Sequence, residues 1–194
     1  MKYDKIYRQY INLLVDLKLI IQESELRVIS DEADNLFLGN VNYFVKSYLI
    51  SICTYLEAFL QDIALLYAQE INERVKVAKI PQNYVRWHLN GEIKRKDMSL
   101  EDLDVTPDKK NISDQLSGNP HKTINMFRYL GIDLTKNVNF FASKDAVSSI
   151  VTKRNNIIHH NDEAMDISFS DLCYFVDVVS NYMEAILNSI CVRE

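Results

Sequence analysis

The sequence predicts an all-α protein, an up-and-down bundle of about four main helices with short helices between them. Glycine and proline are scarce, 4 and 3 in 194 residues, while Leu, Ile, Tyr, Asn and charged residues are plentiful. Few tight turns can be made from such a composition. Long stretches also repeat apolar residues at three- and four-residue steps, the period of a helix with one buried face. No composition shift, internal repeat or low-complexity segment divides the chain, and its length suits one core, so residues 1–194 are expected to form a single domain.

The first helix is expected over residues 3–28, where Ile6, Tyr10, Leu13, Leu14, Leu17, Ile20 and Ile21 share a stripe. A polar interval around "SDEADN" and Gly39 ends it. From about Val41 to about Lys76 the sequence runs without glycine or proline, which predicts a spine helix on the order of 50 Å long. Residues 77–119 contain Pro81, Gly91, Pro107, Gly118 and the acidic run "SLEDLD", so short helices joined by loops are expected there. "GNPHKTINMFRYLGID" reads as a short helix with proline near its start and Gly131 just past its end. Ser143, with Asp145 in the first turn, is the expected N-cap of a helix reaching about Asn161. After a turn at "NDEAMD", Ser168 or Ser170 is expected to cap the last helix.

The net charge of −5 is the wrong sign for a protein that wraps nucleic acid, because phosphate contacts need Lys and Arg. Between His121 and His160, however, six cations (Lys122, Arg128, Lys136, Lys144, Lys153, Arg154) face two anions (Asp133, Asp145). Either an ordinary solvated face or a local anion-binding surface would produce that excess. Cys53, Cys173 and Cys191 lie in apolar helical patterns without metal-ligand spacing and read as buried free thiols. The N-terminal stretch breaks its apolar residues with Asp16 and Lys18, so neither a signal-peptide core nor a membrane span is expected there, and a cytoplasmic location is.

"RNNIIHH", residues 154–160, is the unusual stretch. On a helical projection Val147, Ile150, Val151 and Ile158 make one stripe with Arg154 between them. A buried guanidinium without a partner is costly, so Arg154 is expected to snorkel, to pair with a carboxylate, or to face a cleft or subunit interface. Asn155 and His159, four residues apart, share a neighbouring face. Arginine offers a permanently charged fork for phosphate oxygens, and histidine can exchange a proton near neutral pH without a metal. Those are the needs of RNA cleavage through the 2′-hydroxyl: a base, an acid and positive charge on the phosphorane. A salt-bridge and capping set would use the same residues.

"RNNIIH" resembles the R-x-x-x-x-H signature of the HEPN superfamily of helical ribonucleases. The order of "SYLISICTYLEAFLQDI", "SGNPHKTINMFRYLGID", the motif helix and a C-terminal helix is similar to the RiboL-PSP-related branch, over roughly residues 41–192. The resemblance implies a HEPN-like bundle in which Arg154 and His159 are the catalytic pair and Asn155 the polar companion that orients them. It further implies metal-independent cleavage of RNA by a homodimer whose motif helices face each other across a positively charged cleft. Family members commonly act as toxins of toxin–antitoxin pairs or as anti-phage, abortive-infection effectors, so an antitoxin is an implied partner. The chain has "HHND" where the family commonly has an "AHG"-like ending. His159 keeps the family's spacing from Arg154; His160 is left as a substrate-contacting neighbour or a solvent-facing side chain, and Lys153 as a supporting cation.

A metal reading of His159, His160 and Asp162 is disfavoured, because adjacent helical histidines point about 100° apart and no HExxH or paired-cysteine pattern accompanies them; no cofactor is expected. Glu57, the polar residue most embedded in the spine helix, could pair with Arg154 across the bundle, with an ordinary structural ion pair the leading reading and a supporting role at the site the other. Trp87 and His88 in "VRWHLN" read as an aromatic anchor of an irregular segment, with base stacking the minority reading, and "EIKRKD" as a solvated loop with RNA contact the minority reading. Most of the 11 tyrosines are expected in core or interface. Three hypotheses result: an endoribonuclease, a non-catalytic helical dimerisation module, and a small-molecule-binding bundle with an enclosed apolar pocket.

Overall fold

The computed structural model describes residues 2–32, 34–160, 164 and 166–192, and the backbone alone of His160. Every regular element among them is helical, and a single cluster of buried apolar side chains runs from Tyr3 to Ile190.

Helix α1 (Lys2–Ile29) buries Tyr3, Tyr10, Leu14, Leu17 and Ile21. Leu13 and Ile20, expected on that stripe, are exposed at 36% and 52%. The helix docks through one face, and residues displaced by about 100° from the centre of that face meet solvent. After α2 (Asn35–Leu38), capped by Asp34, comes α3 (Val41–Ala78), the expected spine. At 38 residues it is long and apolar enough to cross a membrane by length and composition, yet Leu49, Ile52, Leu56, Phe59, Leu60 and Ile63 are buried within the bundle. It ends on Lys79 in the left-handed region, at φ 46°.

The middle contains α4 (Gln82–Asn90), a single 3-10 turn over Arg95–Asp97, and α5 (Lys109–Gln115), much as the punctuated sequence predicts. Helix α6 (Pro120–Tyr129) starts on the Asn119 side chain, which accepts from the His121 amide at 2.8 Å. It stops where Gly131, at φ 77°, lets its own amide reach the Arg128 carbonyl and the Ile132 amide reach that of Phe127. That is the two-bond left-handed stop for which glycine is favoured.

Helix α7 (Val138–His160) begins before the expected Ser143. Asn137 caps it, with Oδ1 accepting from the Asn139 and Phe140 amides at 3.0 and 3.1 Å. Ser143 lies inside the helix and donates back to the Asn139 carbonyl. The expected end at Asn161 and most of the "NDEAMD" turn lie outside the described residues. Helix α8 (Phe169–Cys191) opens on a capping box: Ser168 Oγ accepts from the Asp171 amide, and Asp171 Oδ2 accepts from the Ser168 amide. Ser168, rather than Ser170, is therefore the cap. Helix α8 packs against α1, α3 and α7, and α3 packs against α1 and α7, giving the expected four-helix bundle with a decorated middle.

Candidate functional site

Along α7 the buried residues are Phe140, Val147, Ile150, Val151 and Ile157. Arg154 falls at the helical step between Val151 and Ile157, and its side chain is only 15% exposed. Ile158, expected on the stripe, is 48% exposed, and Ile157 takes the core position. Steps of three and four from Val147 lead through Arg154 to residue 157, so the stripe continues one position earlier than a seven-residue step from Val151 suggests.

The core-facing arginine meets a carboxylate. Glu57 sits on α3 one turn beyond Cys53, and its Oε1 accepts from Arg154 Nη2 across the seam between the two helices. Glu57 Oε1 also accepts from the Gly118 amide at 3.2 Å, at the loop that leads into α6. Gly118 has no room for a side chain: a Cβ would lie 2.8 Å from Val151 Cγ2 and 3.7 Å from Glu57 Oε1. Three stretches far apart in sequence, the spine helix, the "SGNP" loop and the motif helix, thus converge on one ion pair.

Cys53 lines the same place. Burial pushes its thiol up to about 11, against the opposing charge and hydrogen bond of Arg154. The thiol therefore stays protonated beside the pair. Arg154 Nε is buried and makes no hydrogen bond among the described residues. An unmet buried donor is costly, and this one marks the guanidinium as held by position more than by a complete set of partners.

His159 stands on the last turn of α7, exposed, and Asn155 is half-buried one turn earlier on the same face. Among the described residues neither the Asn155 amide nor the His159 ring is engaged in a hydrogen bond or ion pair. Five helical residues turn about 140°, so Arg154 and His159 point in different directions within one chain. The structure brings Arg154 to Glu57, and Asn155 to the face of His159, and does not bring the two pairs together. The His160 side chain and Asp162 lie outside the described residues.

Lys153 forms an ion pair with Asp166, whose carboxyl is held low chiefly by that hydrogen bond. Lys144 lies 3.9 Å from Asp145 and over the Phe141 ring. Half of the cations counted between residues 121 and 160 are therefore engaged by carboxylates of their own chain. A depression of about 470 Å³ between α7 and α8, lined by Asn139, Ser143, Tyr174, Asn181 and Glu184 among others, is open to solvent and contains no residue of the motif. It is not the enclosed apolar pocket expected of a small-molecule-binding bundle.

Most tyrosines are buried or half-buried, as expected, with Tyr43, Tyr84, Tyr129 and Tyr174 exposed; Trp87, expected to anchor an irregular segment, is 57% exposed and packs beside Tyr84 on a helix that buries no residue. Sequence reasoning also missed Gly118 and Cys53 as members of the Arg154 environment. The signal available for Gly118 was its place in a segment that already contained a helix start, since a glycine directly before Asn-Pro is not needed by the cap itself.

A protein-family model described as RiboL-PSP-HEPN matches residues 7–192, which adds α1 to the stretch over which the resemblance was legible. No curated protein and no solved structure matches the chain.

Proposed function

The chain belongs to the RiboL-PSP-HEPN family, and on that premise we propose that it is a metal-independent endoribonuclease acting as a toxin or anti-phage effector in the cytoplasm. The observation that supports it most is the division of labour on α7: a guanidinium fixed by Glu57 at the core-facing stripe, and a free, exposed imidazole one turn and a half further on. One chain alone cannot aim both at the same phosphate, as their divergence of about 140° requires. A homodimer with facing motif helices would bring a second motif to the same groove, but for Arg154 of one subunit to act there beside His159 of the other its guanidinium must turn from the Glu57 carboxylate that holds it inside its own chain.

In that groove the 2′-hydroxyl oxygen attacks the adjacent phosphorus, forming the P–O2′ bond as the P–O5′ bond breaks. His159 of one subunit takes the 2′ proton and His159 of the partner subunit delivers one to the departing 5′-oxygen, while the guanidinium opposes charge on the phosphorane. Asn155 holds substrate or imidazole in register on the face it shares with His159. The products are a 2′,3′-cyclic phosphate and a 5′-hydroxyl. Labelled RNA incubated in EDTA with wild type and with His159→Ala tests this: cleavage by the former and none by the latter is expected, with the dimer intact in both.

A second reading has its own support. Arg154 bound to Glu57, which in turn accepts from Gly118, is also what a non-catalytic dimerisation module would need to hold its helices in place. That reading requires no cleavage by wild type, and a weaker dimer in the His159→Ala variant.

A further inference from the structure

Residues 80–103 form an arm beside the bundle. Its base is tied by the Gln82 amide donating to the Glu101 carbonyl (3.1 Å) and the Leu103 amide to that of Ile80 (2.7 Å). Above the base, the Ser99 amide donates to Asn83 Oδ1 (2.9 Å) and Arg86 Nη1 to the Asp97 carbonyl (3.2 Å), so the returning segment runs antiparallel to α4. That register sets Lys94, Arg95 and Lys96 beside the C-terminal half of α4, and leaves the acidic residues Glu101 and Asp102 at the opposite end.

Helix α4 buries no residue. Tyr84 and Trp87 are 59% and 57% exposed. The Tyr84 ring lies nearly parallel to His88, with centroids 6.3 Å apart and 12° between planes, and 6.1 Å from Trp87. Lys94, Arg95 and Lys96 are all exposed, and none forms an ion pair among the described residues. From Tyr84 to Met98 there are four cations (Arg86, Lys94, Arg95, Lys96) against two anions (Glu92, Asp97), a net +2 within a chain of −5.

Exposed flat rings next to unpaired cations have a specific chemistry. Protein-docking surfaces use exposed aromatics too, but their cores are depleted in lysine. Single-stranded nucleic acid needs both features together: rings for the bases and cations for the phosphates. A duplex offers the rings nothing, because its base faces are already stacked.

We propose that the arm is a binding platform for single-stranded RNA, in which bases stack on Tyr84 and Trp87 while Lys94, Arg95 and Lys96 contact the phosphates. This rests on the RNA-cleaving reading of the motif and assigns how its substrate is held. Cleavage chemistry at Arg154 and His159 and substrate capture on the arm are then separate tasks on separate elements.

Trp87 is the only tryptophan, so its emission reports on the arm without a label. The full-length protein is titrated with a 2′-O-methyl single-stranded oligonucleotide of mixed sequence, about 12 nucleotides long, which cannot supply the attacking hydroxyl. Quenching of Trp87 emission is expected, saturable and weakened by added salt. Tyr84→Ala and the pair Lys94→Glu, Lys96→Glu should each weaken binding about tenfold. Trp87→Ala, followed by fluorescence anisotropy of the labelled oligonucleotide, should do the same, and a duplex of equal length should leave the emission unchanged. The proposal is overturned if the oligonucleotide binds without altering the emission, if these variants bind like wild type, or if the oligonucleotide does not bind. Cleavage of ordinary RNA by wild type without quenching sinks the platform alone; quenching without cleavage sinks the nuclease reading alone.

Discussion

Arg154 shows how one residue can be legible in its placement and silent in its partner. Its step along α7 predicted a core-facing guanidinium, and Glu57, the carboxylate most embedded in the spine helix, was the natural candidate to meet it. The Gly118 amide and the Cys53 thiol could not be read the same way, because no periodicity connects a loop residue to a helix on the far side of a bundle. Breaking the pair leaves a charge in a mostly dry place, so Glu57→Gln should cost about 3 kcal/mol, the low end for a buried pair because Glu57 is 28% exposed. Urea denaturation measures it; a loss under half a kcal/mol would mean the pair is a surface contact. Gly118→Ala should cost about 2 kcal/mol by overpacking against Val151, and adding Val151→Ala should make the two losses less than additive. Cys53 should resist thiol reagents in the native protein while half-buried Cys173 reacts, as mass spectrometry after brief labelling would record.

Among the elements, α7 and α8 mark the limit of reading boundaries from caps. Asp145 in the first turn makes Ser143 the expected cap, but in the fold Asn137 takes that place, and its side-chain Nδ2 donates to the Ala185 carbonyl at 3.0 Å, a tertiary contact that no local pattern reveals. Ser168 is better specified, because Asp171 three residues later completes a reciprocal box. Ser168→Ala should therefore cost about 1 kcal/mol, a fall in Tm of roughly 2–4 °C for a chain of this size. The Asp171 carboxyl is held low chiefly by the Ser168 hydroxyl and then by its backbone amide. A carboxylate lowered by folding contributes stability above its unfolded value and loses it as pH falls through the folded one. The Ser168→Ala penalty should thus be full at pH 7 and shrink below about pH 4, which thermal melts at both values would show.

For the molecule as a whole, four long helices were readable because each buries a stripe with the helical period, and that pattern survives any uncertainty about ends. What the sequence did not show was which aromatic residues the bundle leaves outside. Trp87 and Tyr84 are outside because α4 stands off from the core, whereas Tyr43, Tyr129 and Tyr174 lie on the exposed faces of α3, α6 and α8. The site is legible to the same degree: its residue types, its helix and, from the five-residue spacing, the divergence of Arg154 from His159 are given by "RNNIIHH", whereas the Gly118 amide and the Cys53 thiol beside Arg154 emerge only in the fold. If the proposed nuclease reading holds, sedimentation should find a dimer; a monomer at working concentrations would contradict that reading.

Whether α7 cleaves RNA is decided by a single comparison. Wild type and His159→Ala are each incubated with end-labelled RNA in EDTA, and the product termini are identified. Wild type should leave 2′,3′-cyclic phosphate ends, and the variant, still folded and dimeric, should leave the RNA intact. Equal cleavage by both proteins, or products ending in a 3′-hydroxyl, would contradict the nuclease reading.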